Sequence, residues 1–176
     1  LVIMAPIDGT ELEKMLEFAL GLNKPVAIRY PRASTILKNN SVNTLKLGKA
    51  ELICAGEDFS LIALGSMVLT AKEAIEILSK EGINGSLINA RFAAPLDLEL
   101  IKKVSVEKKY IFTVEEGIIE EGFGSAVAQE LGVYVQRIGL PFDFIQHGNR
   151  SLLLEKYGLT AQGIANTIRQ AIKNHG

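Results

Sequence analysis

Apolar positions come in short runs and stripes from the first residue onward. Val2 to Met4 form a run stopped by Pro6, which predicts a short buried strand. Asp8 then stands where a helix N-cap belongs, and Glu11 three positions on completes the pattern of a capping box. Leu12, Met15, Leu16, Ala19 and Leu20 fall on one helical stripe, with Gly21 as the stop. Pro25 introduces a second strand, Val26 to Arg29, ending in the polar cluster Arg29-Tyr30-Pro31-Arg32. This is a strand–helix–strand unit of about 30 residues, the size of a parallel crossover. Two strands do not make a domain, so the chain is expected to be a piece of something longer.

From Ala33 to Gly48 the periodicity is lost and Ser, Thr and Asn collect, which marks residues 36–48 as an interdomain linker between a part spanning 1–35 and a second domain spanning 49–176. In that domain, Glu51 to Cys54 and Ser60 to Leu64 read as strands joined by a turn at Gly56-Glu57-Asp58. Val68, Ala71, Ala74, Ile75 and Leu78 form the buried stripe of the next helix. Leu87 to Asn89, Tyr110 to Val114 and Val133 to Ile138 read as further strands. Asp97 caps a short helix, another passes through Ala126 to Leu131, and helical pieces around 152–157 and 160–173 close the chain. Mostly apolar strands alternating with helices predict an α/β fold, a three-layer α/β/α sandwich with its sheet covered on both faces.

Composition narrows the function classes. Of 176 residues, 48% are hydrophobic and 22% charged, which excludes a disordered chain. The net charge of -1 gives no general attraction to nucleic acid or to an anionic membrane, so any phosphate site must be local. A single cysteine, Cys54, excludes an intrachain disulfide framework and a thiolate metal cluster, and suits a reducing cytoplasmic or plastid-type compartment as a core residue. No apolar run approaches the roughly 20 residues of a membrane span, and the opening residues lack the basic segment of a signal peptide.

Candidate chemistry is thin. Arg32 lies just past the end of a parallel strand, where open α/β sheets place ligands, and a guanidinium fork pairs well with phosphate oxygens. A structural salt bridge or a solvent-facing arginine is the alternative. Arg29 and Tyr30 support the same strand end from opposite faces. Gly122-Phe123-Gly124 invites a dinucleotide reading, but the third glycine is out of register and Glu115, Glu116, Glu120 and Glu121 surround it with negative charge. Backbone flexibility at a helix start accounts for those glycines. Glu115 and Glu116 point opposite ways on an extended segment, a poor geometry for paired-carboxylate catalysis; one is expected to cap the following helix or reach across an interface while the other faces water. His147, in a partly apolar loop, reads as a hydrogen-bonded loop organiser, and the terminal His175 as frayed. Ser66, Ser125 and Cys54 have no activating motif beside them.

Taken in order, several segments carry a resemblance. They are Val2 to Pro6, Ala27-Ile28-Arg29-Tyr30-Pro31-Arg32, Ile62 to Ser66, Asn89-Ala90-Arg91-Phe92-Ala93-Ala94-Pro95-Leu96-Asp97, Thr113 to Glu116, Gly122 to Val127, Ile138 to Pro141, His147-Gly148 and Tyr157 to Thr160. Together they resemble the thiamine diphosphate-dependent transketolase superfamily, and within it the 1-deoxy-D-xylulose-5-phosphate synthases, over essentially the whole chain. Two departures stand out: Ala33 replaces a usual glycine, and the 138–144 segment has one residue more before its aromatic. The resemblance implies the end of a pyrimidine-binding domain followed by a transketolase C-terminal domain. It implies a parent homodimer that condenses pyruvate with D-glyceraldehyde 3-phosphate, with loss of CO2, and uses thiamine diphosphate and Mg2+ for the carbon–carbon chemistry. It assigns the acceptor-phosphate contact to Arg32, a supporting role to Arg29, and no catalytic or metal-binding residue to this segment, which alone is expected to be inactive. A transketolase, a pyruvate or acetoin dehydrogenase β subunit, and a non-catalytic assembly module are the alternatives.

Overall fold

The structure, a computed structural model, describes residues 1–34 and 44–174. Most of the segment read as linker, and His175, lie outside the described residues. In chain order the elements are β1 (Val2–Met4), α1 (Gly9–Leu20), β2 (Val26–Ile28), β3 (Glu51–Cys54), β4 (Phe59–Ala63), α2 (Met67–Ser79) and β5 (Gly85–Asn89). There follow β6 (Phe92–Ala94), α3 (Leu98–Ser105), β7 (Tyr110–Ile118), α4 (Phe123–Leu131), β8 (Gln136–Leu140), α5 (Arg150–Lys156) and α6 (Ala161–Asn174).

The main sheet runs β3-β5-β4-β7-β8, with β5, β4, β7 and β8 parallel and β3 antiparallel at the edge. The turn at residues 56–58 therefore does not close a hairpin, because β5 lies between β3 and β4. Burial explains the order. Every residue of β4 and β5 is buried, whereas β3 is half-buried and suits an edge. Helices α2 and α6 cover one face, where all five residues of the expected α2 stripe are sealed beside Ile164, Ala165 and Ile168. Within that core the Phe59 and Phe112 rings meet edge-on at 5.8 Å. Ile101 of α3, with Phe123 and Val127 of α4, covers the other face. Asp97 caps α3 as expected, accepting the Leu100 N–H at 3.2 Å. The last strand begins later than the pattern suggested. Gly132 ends α4 with φ at 66°, and Val133 and Tyr134 stay exposed before β8 starts at Gln136.

The first 34 residues do not stand apart. β1 pairs in parallel with β2, Val2 opposite Val26, and antiparallel with β6, giving a small sheet β2-β1-β6. A strand from the second part of the chain thus completes the sheet of the first. Asp8 caps α1 through the Glu11 N–H at 2.9 Å, but the second half of the expected box is replaced. The Glu11 carboxylate takes the Ile7 N–H and turns inward, where Glu11 is 1% exposed. The α1 stripe is only partly covered: Met15 is sealed, while Leu16 and Leu20 remain exposed. Among the described residues no helix is long and apolar enough to cross a membrane.

Candidate phosphate-binding cleft

The carboxyl ends of β1, β2, β4 and β7 meet where the two sheets adjoin. Pairing between β1 and β2 continues one residue past β2, with the Arg29 N–H donating to the Met4 carbonyl at 2.8 Å. Arg29 Nη2 then donates to the Glu116 carbonyl at 2.8 Å, which joins the end of β2 to β7. A hollow of about 270 Å³ opens there, lined among others by Arg29, Tyr30, Gly65, Ser66 and Glu116. Beside it, sharing Tyr30, Pro31 and Ser66, lies a groove of about 520 Å³ to which Arg32, Asp8, Thr70 and Arg150 contribute. Arg32 is exposed at this groove and pairs with no carboxylate among the described residues, so the salt-bridge alternative has no visible partner. Among the described residues the geometry is that of a solvent-facing arginine, whose guanidinium fork has the shape to pair with an anion. Asp8, on the same groove, is engaged at the α1 N-terminus.

Glu115 and Glu116 do part to opposite sides: Glu115 is buried, whereas Glu116, its side chain 24% exposed, keeps partial access to solvent while bound by Arg150. Glu115 is 3% exposed and accepts the Gly124 N–H at 2.9 Å, capping the start of α4. The glycines there serve close approach, not flexibility. A Cβ on Gly122 would collide with the Ile118 carbonyl oxygen, and one on Gly124 with Thr113 Oγ1. A dinucleotide has no role in that explanation. Glu116 receives Arg150 Nε at 2.7 Å and Arg150 Nη2 in a forked ion pair, and Ser66 Oγ donates to it at 3.2 Å. The Glu116 carboxylate holds the Arg150 guanidinium above its ordinary pKa, against the opposing effect of burial. Sequence reasoning missed this trio because its members stand 34 to 84 positions apart, with no local pattern to join them. His147 is exposed and makes no hydrogen bond to the described residues, so its expected loop-organising role is not seen.

A second cluster, equally silent in the sequence, holds the two parts of the chain together. Arg91, 3% exposed with φ at 58°, donates Nε to Glu11 at 2.7 Å and Nη2 to Glu51 at 2.6 Å. Asn89 Nδ2 adds a longer bond to Glu11 at 3.3 Å. The segment Asn89 to Asp97 is therefore the seam itself: Arg91 anchors α1, β6 extends the small sheet, and Asp97 accepts the Ala50 N–H at 3.0 Å. Among the described residues, no three His, Cys, Asp or Glu side chains gather in a way that could hold a metal ion.

Residues 48–164 match the family described as transketolase, C-terminal domain. A 1-deoxy-D-xylulose-5-phosphate synthase of Heliobacterium modesticaldum is 44% identical over 177 residues, which take in 97% of this chain and 27% of that protein. The protein of the same name from Gloeobacter violaceus is 41% identical, over 98% of this chain and 28% of its own length. The chain thus spans little more than a quarter of these relatives. Among solved structures, a split gene transketolase in the form of an inactive beta4 tetramer superposes with a TM-score of 0.89 at 29% identity, covering 98% of this chain and 58% of that one. Transketolase from Campylobacter jejuni shares the fold, with a TM-score of 0.72 at 21% identity over 96% of this chain and 26% of its own.

Proposed function

The chain belongs to the transketolase C-terminal domain family, and on that footing we propose that it is the C-terminal part of a 1-deoxy-D-xylulose-5-phosphate synthase. The whole enzyme condenses pyruvate with D-glyceraldehyde 3-phosphate and releases CO2. The observation that carries this reading is Arg32, without a carboxylate partner among the described residues, beside a groove at the carboxyl ends of parallel strands. It stands in a chain whose curated relatives bear that name over almost its full length. Arg32 is the anchor for the acceptor's phosphate. Arg29 holds the strand end in place through the Glu116 carbonyl, and Tyr30 lines the cleft between them. Glu115 and Glu116 are structural, each fixing a helix start or a loop against the sheet.

Thiamine diphosphate supplies the carbon–carbon chemistry in this reading, and with Mg2+ it is held by residues outside this chain. The segment alone is then inactive, as is the beta4 tetramer of the split gene transketolase. The parent is a homodimer, and the boundary between its pyrimidine-binding and C-terminal domains falls near residues 36–48.

The test is Arg32→Ala in the full-length enzyme. Loss of a charged hydrogen-bonding group costs about 1.5–3 kcal/mol, or roughly 10- to 150-fold in kcat/KM for D-glyceraldehyde 3-phosphate. Pyruvate's KM should hardly move, and unphosphorylated D-glyceraldehyde should react equally well with both enzymes. Equal losses for both substrates would overturn the assignment.

A further inference from the structure

A second wide concavity lies at the opposite end of the main sheet from the Arg32 cleft, at the amino ends of β7 and β8. It has a volume of about 740 Å³, within the range of roughly 300–1,000 Å³ that small-molecule sites occupy. Tyr110, Ile111 and Phe112 at the start of β7 form one part of its lining, and Leu131, Val133 and Tyr134 after α4 form another. Val106, Val133 and Tyr134 are 75%, 52% and 83% exposed, an unusual amount of apolar surface to leave around one hollow.

Charge is distributed around it with one sign. Lys102, Lys103, Lys108 and Lys109 line the hollow, and no Asp or Glu among the described residues does. In a chain of net charge -1 this is a local concentration, not a general property. Lys108 lies 3.6 Å from Glu57, and Lys109 sits 5.2 Å from the centre of the Tyr110 ring. Lys102 and Lys103, in the last turn of α3, have no carboxylate partner among the described residues. Their position complements the helix dipole, but that accounts for neither the hollow nor its apolar lining.

We propose that this hollow binds a small amphiphilic organic anion, its apolar body against Tyr110, Val133 and Tyr134 and its anionic head against Lys102 and Lys103. The site is separate from the reaction cleft, since β7 runs the length of the sheet between Tyr110 here and Glu116 there. It depends on nothing in the proposed synthase reaction.

Octanoate, 1-octanol and acetate separate the two halves of the claim when titrated into the isotope-labelled chain and followed by backbone amide shifts. Octanoate should shift Lys103, Val106, Tyr110 and Tyr134 together, and bind more tightly than either the uncharged alcohol or the short acid. Lys102→Glu and Lys103→Glu should each weaken octanoate about tenfold, the scale on which reversing one unit charge some 5 Å away acts in a water-like dielectric, and leave 1-octanol unchanged. Val133→Asp should weaken both. All three positions are exposed, so the variants should fold, and matching spectra away from the hollow check this. Equal affinity for octanoate and octanol, shifts scattered over the surface, affinity unchanged by the lysine reversals, or binding only to anionic phospholipid vesicles would each overturn the proposal.

Discussion

Replacing Arg91 by Met tests the seam between the two sheets. The guanidinium stands between two carboxylates, 2.7 Å from Glu11 and 2.6 Å from Glu51, and its side chain is 4% exposed. Met fills much of the same volume and removes the charge. Glu51 keeps partial access to solvent at 24% exposure, but Glu11, at 1%, is left among neutral donors: the Ile7 N–H and Asn89 Nδ2. Breaking a buried pair by removing one partner costs about 3–5 kcal/mol, because the remaining charge is uncompensated. With a urea m-value of about 2 kcal/mol/M for a chain of this size, the midpoint should fall by about 2 M. Urea unfolding followed by circular dichroism reads the loss, and limited proteolysis should show cleavage within residues 1–34 before the rest. Adding Glu11→Gln to Arg91→Met should recover part of the stability, giving strong coupling in a double-mutant cycle. A loss below about 1 kcal/mol, or additive single effects, would show that the ion pair does not hold the two parts together.

Two further outcomes follow from the same geometry. Gly124→Ala should cost about 1–3 kcal/mol, read as a lowered melting temperature, since the added methyl meets Thr113 Oγ1 and has no room to relax inside the α4 start. Glu81 is held below its ordinary value of 4.5 by the hydrogen bonds of Arg169, which ties α6 to the end of α2 at 2.8 and 2.6 Å. A depressed carboxylate contributes stability above its unfolded pKa and loses it as pH falls through the folded one. Glu81→Gln should therefore lower stability at neutral pH, and the gap to the wild type should close on acidification below 4.5; a gap constant from pH 7 to pH 3 would refute the pairing.

The alternation of strands and helices was legible in the residues because burial imposes its own period. The stripe from Val68 to Leu78 and the face from Ile164 to Ile168 each close on the core as their spacing requires. Caps at Asp8 and Asp97 were legible too, being contacts between positions three apart. The strand-end arginines could be placed beyond β2 for the same local reason. Adjacency across long separations could not be read. Nothing near Glu11 announces Arg91, 80 positions on, and nothing near Ser66 announces Glu116 and Arg150. Nor does β6, three residues long, carry enough period to be seen as a strand; it becomes one because the edge of β1 lacks a partner. Local pattern determined most of the helices and strands and the buried stripes of α2 and α6. The tertiary structure decided which sheet each strand joins, which carboxylate each guanidinium meets, and that Arg32 meets none among the described residues. Those outcomes depend on unsatisfied edges and charges that only the assembled chain brings together.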